Sequence, residues 1–129
     1  MSAAPSGKQG RATVQKRVLV VDDNVDAANS LAALLRAMGH EVFVAHEGRA
    51  ALEDLSRIRP DMALLDIAMP DMSGYDLARQ IRNRMGPAIR IVALSGFGLP
   101  EDRARALEAG FDQHMIKPAD LAFLKSLLG

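Results

Sequence analysis

From Arg17 onward, short apolar runs alternate with longer stretches in which apolar residues recur every third or fourth position. Val18-Leu19-Val20-Val21 is a β-branched run suited to a strand, and Ala27, Leu31, Leu34, Leu35 and Met38 follow at the spacing of one helix face, closed by Gly39. The alternation recurs with Val42-Phe43-Val44 before Ala51, Leu52, Leu55 and Ile58, and again with Met62-Ala63-Leu64-Leu65 before Tyr75, Leu77, Ala78 and Ile81. Ile89 to Leu94 and Met115-Ile116 predict two more strands. Ser73 with Asp76 has the form of a capping box, Pro100-Glu101-Asp102 suits a first helical turn, Asp120 can cap the last helix, and Gly110 closes the fourth.

Strand-then-helix repeats whose strands are apolar on both faces predict an α/β fold: a doubly wound, five-stranded parallel sheet with five helices shared between its two sides. In such sheets the ligand crevice lies beyond the carboxyl ends of the strands, where the strand order reverses. Residues 1–16 are small and polar without a period, and are expected to be a flexible tail or linker; one folded domain is expected over 17–129.

The polar residues directly after each apolar run therefore become the candidates for chemistry. Asp22 and Asp23 follow the first strand, Asp66 the third, Ser95 ends the fourth and Lys117 follows the fifth. Each alone has an ordinary reading as a turn former, helix cap, loop hydroxyl or solvated charge; their joint placement on one rim points to a site. Three carboxylates at one rim repel, each pair by about 1 kcal/mol at about 4 Å in water and more when desolvated. A cation relieves that cost, and oxygen-only ligation suits Mg²⁺, which takes one or two carboxylates and shares its remaining positions with water and phosphate. Lys117 offers a second positive charge for the same phosphate.

Composition narrows the chemistry. The absence of cysteine excludes disulfides and thiolate metal centres. Lys8, Arg11, Lys16 and Arg17 all precede the first apolar run, so residues 18–129 carry 12 basic and 16 acidic side chains, a net of −4, which argues against nucleic acid as the partner of the folded part. No apolar stretch approaches the roughly 20 residues that cross a bilayer, and no secretory signal is evident; no membrane association and a cytoplasmic location are expected. His40 and His46 are expected at the surface beside the second strand.

Val20-Val21-Asp22-Asp23-Asn24, the run Leu64-Leu65-Asp66-Ile67-Ala68-Met69-Pro70-Asp71-Met72-Ser73-Gly74, Ala93-Leu94-Ser95-Gly96 and Ile116-Lys117-Pro118 together resemble the receiver domains of bacterial response regulators, over residues 17–128. The resemblance implies strand order 2-1-3-4-5 and a chemotaxis-regulator-like, flavodoxin-like fold. It implies that Asp66 accepts a phosphoryl group from phosphohistidine on a sensor histidine kinase or histidine phosphotransfer protein. Asp22, Asp23, an oxygen of Asp66 and the backbone carbonyl of Ala68 would hold Mg²⁺. Lys117, the Ser95 hydroxyl and the backbone N–H groups of Ala68 and Gly96 would meet the phosphoryl oxygens. A cis bond before Pro118 would aim Lys117 over the site, and Ser95 with His114 would form the switch. The signal would leave for an effector protein through the face formed by the fourth helix, fifth strand and fifth helix. In the family, the positions of Ala68 and Phe97 tune the lifetime of the acyl phosphate; a side chain too small to orient water at the first and a bulky apolar one at the second imply slow self-dephosphorylation.

Two rival classes are disfavoured by specific residues. A phosphatase of the haloacid dehalogenase type commonly has an acid two residues after its nucleophile, where Ala68 stands. An interaction-only receiver usually lacks one of the acids or the lysine, and all are present. A flavin-binding module would need a phosphate-binding loop after the first strand. The protein is therefore expected to be a signalling domain and not a turnover enzyme. Met1 and the short helix before Gly129 fit a stand-alone regulator, while Ser95-Gly96-Phe97-Gly98 and the linker-like start resemble the terminal receiver of a hybrid histidine kinase; both readings stay open.

Overall fold

The chain alternates strand and helix along its length: β1 (Arg17–Val21), α1 (Val25–Ala37), β2 (Glu41–Ala45), α2 (Gly48–Ile58), β3 (Met62–Asp66), α3 (Gly74–Met85), β4 (Arg90–Ser95), α4 (Pro100–Ala109), β5 (Gln113–Ile116) and α5 (Leu121–Leu128). The structure, a computed structural model, describes residues 15–96 and 100–128, with side chains in α4 described from residue 104 onward. Residues 1–14 of the expected tail and Phe97 lie outside the described residues, while Lys16, the tail's last residue, is held by His40.

All strand pairs are parallel, in the order β2-β1-β3-β4-β5. The pleat explains why the central strands read as unbroken apolar runs. Leu19 and Val21 face the layer of α2, α3 and α4 with Leu55, Leu65, Ile81 and Ile91, whereas Val18 and Val20 face α1 and α5 with Leu35, Leu64, Val92 and Leu124. Each such side chain contributes roughly 1.5–3 kcal/mol when fully buried. The edge strands have only part of their residues buried and correspondingly read as shorter runs.

Local signals set the boundaries. The Asn24 side chain accepts from the Ala27 N–H at 3.0 Å to start α1, and Ser73 Oγ accepts from the Asp76 N–H at 3.2 Å to start α3. The capping box is only half formed, because the Asp76 carboxylate accepts from Arg79 at 3.0 Å instead. Asp120 accepts from the Ala122 N–H at 2.9 Å beside the start of α5. Gly39 and Gly110, both at positive φ, end α1 and α4. The Arg82 guanidinium ties two turns together, donating to the carbonyls of Ile89 at 2.7 Å and Gly110 at 2.6 Å and to Asp112 at 2.8 Å. Among the described residues no helix is long and apolar enough to cross a membrane.

His40 departs from its expected surface position. It is buried, and its Nδ1 accepts the Lys16 N–H at 3.0 Å, so the ring fastens the entrance of β1 to the turn before β2. Two residues far apart in sequence meet because β1 and β2 are neighbours, which a linear pattern does not display.

Candidate functional site

The strand order reverses between β1 and β3, and their carboxyl ends carry three acids. Asp22, the first residue after β1, is only 2% exposed; its Oδ1 accepts from the Asn24 N–H at 3.0 Å and its Oδ2 from Lys117 Nζ at 2.9 Å. Asp66, the last residue of β3, is 5% exposed; its Oδ1 accepts from the Ala68 N–H at 3.0 Å and its Oδ2 lies 3.4 Å from Lys117 Nζ. Asp23 is exposed at the mouth. One oxygen from each of Asp22, Asp23 and Asp66 lies within 4.8 Å of the other two, an all-oxygen group that suits a small hard cation.

The electrostatics make the same point. Burial pushes the Asp66 carboxyl above its usual range, the Ala68 N–H opposes this, and the adjacent Asp22 charge adds to the rise beyond what Lys117 offsets. Burial pulls the Lys117 ammonium down, but its hydrogen bond to Asp22 and the charges of Asp66 and Asp22 together hold it above its ordinary value. Lysine is therefore charged, and one ammonium serves two buried carboxylates with a third beside them. The cluster is short of positive charge.

Lys117 reaches the acids because of its backbone. Its N–H donates to the Ser95 carbonyl at 2.8 Å, extending the β4–β5 pairing, and the Lys117–Pro118 peptide is cis as the family resemblance implies. Ser95, the last residue of β4, is buried, and its Oγ is hydrogen-bonded to His114 Nε2 at 2.7 Å. Gly96 follows it, exposed.

The loop after Asp66 is held from two sides. A Cβ on Gly74 would stand 2.6 Å from the Asp66 carbonyl oxygen and 2.6 Å from Ile67 Cα, so α3 begins against the main chain of the acceptor strand. The Asp71 carboxylate accepts from the Gly48 N–H at 3.1 Å, supplying the anion that the N-cap of α2, Glu47, does not.

The structure thus brings Asp22, Asp23, Asp66 and Lys117 into one cluster, with Ala68 bonded to it and Ser95 linked to His114. Sequence reasoning passed over three residues. Asn24 and Gly74 lie inside the motifs already quoted. His46 was expected at the surface, but it is half-buried and its Nδ1–H donates to the Asp22 carbonyl at 3.0 Å. The signal was present: His46 follows β2 directly, as Asp22 follows β1.

The model of the response regulator receiver domain family matches residues 18–128. The chain belongs to the response regulator receiver domains. These are phosphoacceptor signalling domains of two-component systems, with an acidic Mg²⁺-binding pocket typical of the family, and are not turnover enzymes in the ordinary sense. The receiver is 41% identical over 108 residues to a transcriptional regulatory protein of Mycobacterium leprae, covering 84% of this chain and 46% of that protein. It is 36% identical over 110 residues to a gliding motility regulatory protein of Myxococcus xanthus, covering 84% of this chain and 14% of that protein. The chain thus spans less than half the length of both.

Solved structures agree with the fold. A chemotaxis protein of Vibrio cholerae superposes with a TM-score of 0.83 at 28% identity, covering 88% of this chain and 97% of the other. The receiver domain of a sensor histidine kinase from Pseudomonas aeruginosa, solved with a magnesium ion coordinated in its active-site cleft, superposes with a TM-score of 0.79 at 32% identity, covering 89% and 95%.

Proposed function

We propose that this receiver takes a phosphoryl group onto Asp66 from a phosphohistidine and relays the signal to a partner protein. The observation that carries the reading is the placement of Asp66 at the end of β3, buried, 3.4 Å from Lys117 and grouped with Asp22 and Asp23. An oxygen of Asp66 attacks phosphorus, the phosphorus–nitrogen bond of the donor breaks, and the imidazole leaves with a proton from solvent. An acyl phosphate on Asp66 results.

Asp22, Asp23, Asp66 and the Ala68 carbonyl are the groups that would hold Mg²⁺. When bound, the ion neutralises carboxylate and phosphoryl charge in the same pocket. Lys117 bridges Asp22 and Asp66 and is placed to follow the phosphoryl group as it arrives. The Ala68 N–H, bonded to Asp66 Oδ1 before transfer, and the Gly96 N–H supply donors for the new oxygens, as does the Ser95 hydroxyl. Most of the catalysis is positioning, because the donors are fixed by strand ends.

An upstream donor protein has room to approach. An apolar cleft lined by Ala27, Leu31, Leu94, Pro118 and Ala119 opens beside Asp22 and Lys117, and Val25 at the start of α1 is half exposed. A sensor histidine kinase or a histidine phosphotransfer protein is the proposed occupant. Downstream, α4, β5 and α5 each present one exposed large apolar side chain, Leu107, Ile116 and Leu121, which supports an effector protein on that face. The acidic balance of residues 18–129 disfavours nucleic acid. The comparisons fit two settings: an uncharacterised 14.6 kDa protein of Leptolyngbya boryana matches over 82% of its length, and the Pseudomonas domain is part of a kinase.

The test is intact mass after incubation with acetyl phosphate, with Mg²⁺ or with chelator, for the native protein and Asp66→Asn. One phosphoryl group gained only with both metal and Asp66 supports the reading. No gain, with a phosphohistidine donor also tried, rejects it.

A further inference from the structure

His46 stands outside the acids and lysine and yet touches them. β1 and β2 pair as far as Val21 and Ala45, and the last main-chain rung runs from the Asp22 N–H to the Ala45 carbonyl at 3.1 Å. A continuing parallel ladder would next offer a main-chain N–H to the Asp22 carbonyl. The strand has ended by then, because Glu47 is already the N-cap of α2. The His46 imidazole supplies a donor there, its Nδ1–H meeting the Asp22 carbonyl at 3.0 Å.

That carbonyl belongs to the peptide joining Asp22 to Asp23. The Asp22 side chain is held independently, by the Asn24 N–H and Lys117. Asp23 is exposed, and the orientation of the Asp22–Asp23 peptide decides where its carboxylate points. The β2–α2 turn that carries His46 is itself anchored, through the Gly48 N–H, to Asp71 in the loop after Asp66. The turn therefore braces both acidic loops, one through the imidazole and one through the start of α2.

We propose that His46 is a positioning residue for the Mg²⁺ site, fixing the Asp22–Asp23 peptide so that the Asp23 carboxylate faces Asp66. This rests on the phosphoacceptor reading. His46 supports a metal-binding residue from outside the ligand set, and loss of such a support typically weakens metal affinity by about 10- to 100-fold. Because His46 holds the main chain and not a ligand oxygen, the lower end applies.

Mg²⁺ affinity measured by isothermal titration calorimetry on the full chain tests it, in the native protein, His46→Leu and His46→Asn, with Asp23→Asn as the reference loss. Asparagine carries its amide N–H₂ on Cγ, at the place of Nδ1; leucine fills space without a donor. The expected result is about tenfold weaker binding in His46→Leu and recovery to within about twofold in His46→Asn. Phosphorylation of His46→Leu by acetyl phosphate should then reach the native rate once Mg²⁺ is raised about tenfold, a change in metal requirement and not in maximal rate. Thermal unfolding establishes that the variants are folded; if His46→Leu is not, His46→Gln, whose amide sits one methylene too far out, replaces it and is read the same way. Native affinity in the donor-less variant, or equal losses in His46→Leu and His46→Asn, overturns the proposal. A native protein that binds no Mg²⁺ overturns the phosphoacceptor reading itself, and this inference with it.

Discussion

Ser95 Oγ lies 2.7 Å from His114 Nε2, so the hydroxyl at the end of β4 is hydrogen-bonded to a ring on β5. The group proposed to meet a phosphoryl oxygen is thereby joined to the strand that borders the proposed output face. Phosphorylation of Asp66 is expected to shift the His114 ring nitrogens in ¹⁵N NMR spectra, which contain signals from only three histidines. In Ser95→Ala, phosphorylated to completion with excess donor, the shift should be lost. The same variant should react about 10- to 100-fold more slowly with acetyl phosphate, the equivalent of one hydrogen bond to a charged group. An undiminished His114 response in Ser95→Ala would break the link.

Asp66 bears the electrostatic cost of the site. Its carboxyl is held above the usual range, first by burial. A raised folded-state value means that the stability contribution is complete below the unfolded value of about 3.9 and is lost as pH rises through the folded value. At neutral pH without divalent cations, Asp66→Asn should therefore be more stable than the native protein, by about 1 kcal/mol on the scale of one like-charge contact. The difference should vanish toward pH 3. Adding Mg²⁺ should reverse the order, since binding at about ten times Kd contributes about 1.4 kcal/mol to the native protein alone. Thermal melts at several pH values, with and without Mg²⁺, would show either pattern.

Gly74 permits the approach of α3 to the acceptor strand. Its virtual Cβ meets main-chain atoms of Asp66 and Ile67 at 2.6 Å, and main chain cannot yield as a flexible side chain does. Gly74→Ala should lose about 2–3 kcal/mol of stability, at the upper end of overpacking costs. Phosphorylation should slow as well, because the displaced segment carries Asp66. Gly96→Ala, with nothing among the described residues within 4 Å of its Cβ, is the stability control and should change little.

His40 predicts an acid-sensitive edge of the sheet. Burial, reinforced by Lys16, lowers its pKa, and its Nδ1 accepts the Lys16 N–H and so must stay unprotonated; Nε2 is buried without a hydrogen-bond partner among the described residues. A depressed folded-state value contributes stability above the unfolded value of about 6.5 that is lost as pH falls through the folded value. The midpoint of urea unfolding should decline between about pH 7.5 and pH 5. His40→Asn, whose amide oxygen can accept the same N–H, should decline less over that range.

Periodicity of the kind seen in Val18 to Val21 and its successors placed the five strands and the first three helices, and start and stop signals at Pro100, Gly110 and Asp120 placed the last two; α2 begins earlier than its first apolar marker, at Gly48, and α3 runs past Ile81 to Met85. Strands apolar on both faces left a parallel sheet as the simplest way to bury them. The acids and lysine were legible because strand ends in such a sheet share one rim, whatever their separation in sequence. His40 was not, and of His46 only its place directly after β2 was. Their roles depend on which strand lies beside β1, and on single contacts with Lys16 and the Asp22 carbonyl that leave no period. Gly74 was visible as part of a motif, but its reason, a backbone approach to Asp66, required coordinates.

The lifetime of the proposed acyl phosphate should follow from what stands beside Asp66. Ala68, two residues after Asp66, is exposed, and its methyl group can neither orient nor activate a water for attack on phosphorus. Its backbone N–H, bonded to Asp66 Oδ1, is the donor proposed for the phosphoryl group, and it delivers no nucleophile. Phosphorylated protein freed of donor should therefore decay over minutes or longer, and decay within seconds would contradict this. Ala68→Gln introduces an amide able to hold water at that edge and should shorten the lifetime by up to about tenfold, the effect of about 1.4 kcal/mol on the barrier. Because the alanine methyl is exposed, the larger side chain can extend into solvent without disturbing the core, so a change in decay with an unchanged melting temperature would assign the effect to water positioning and not to loss of the fold.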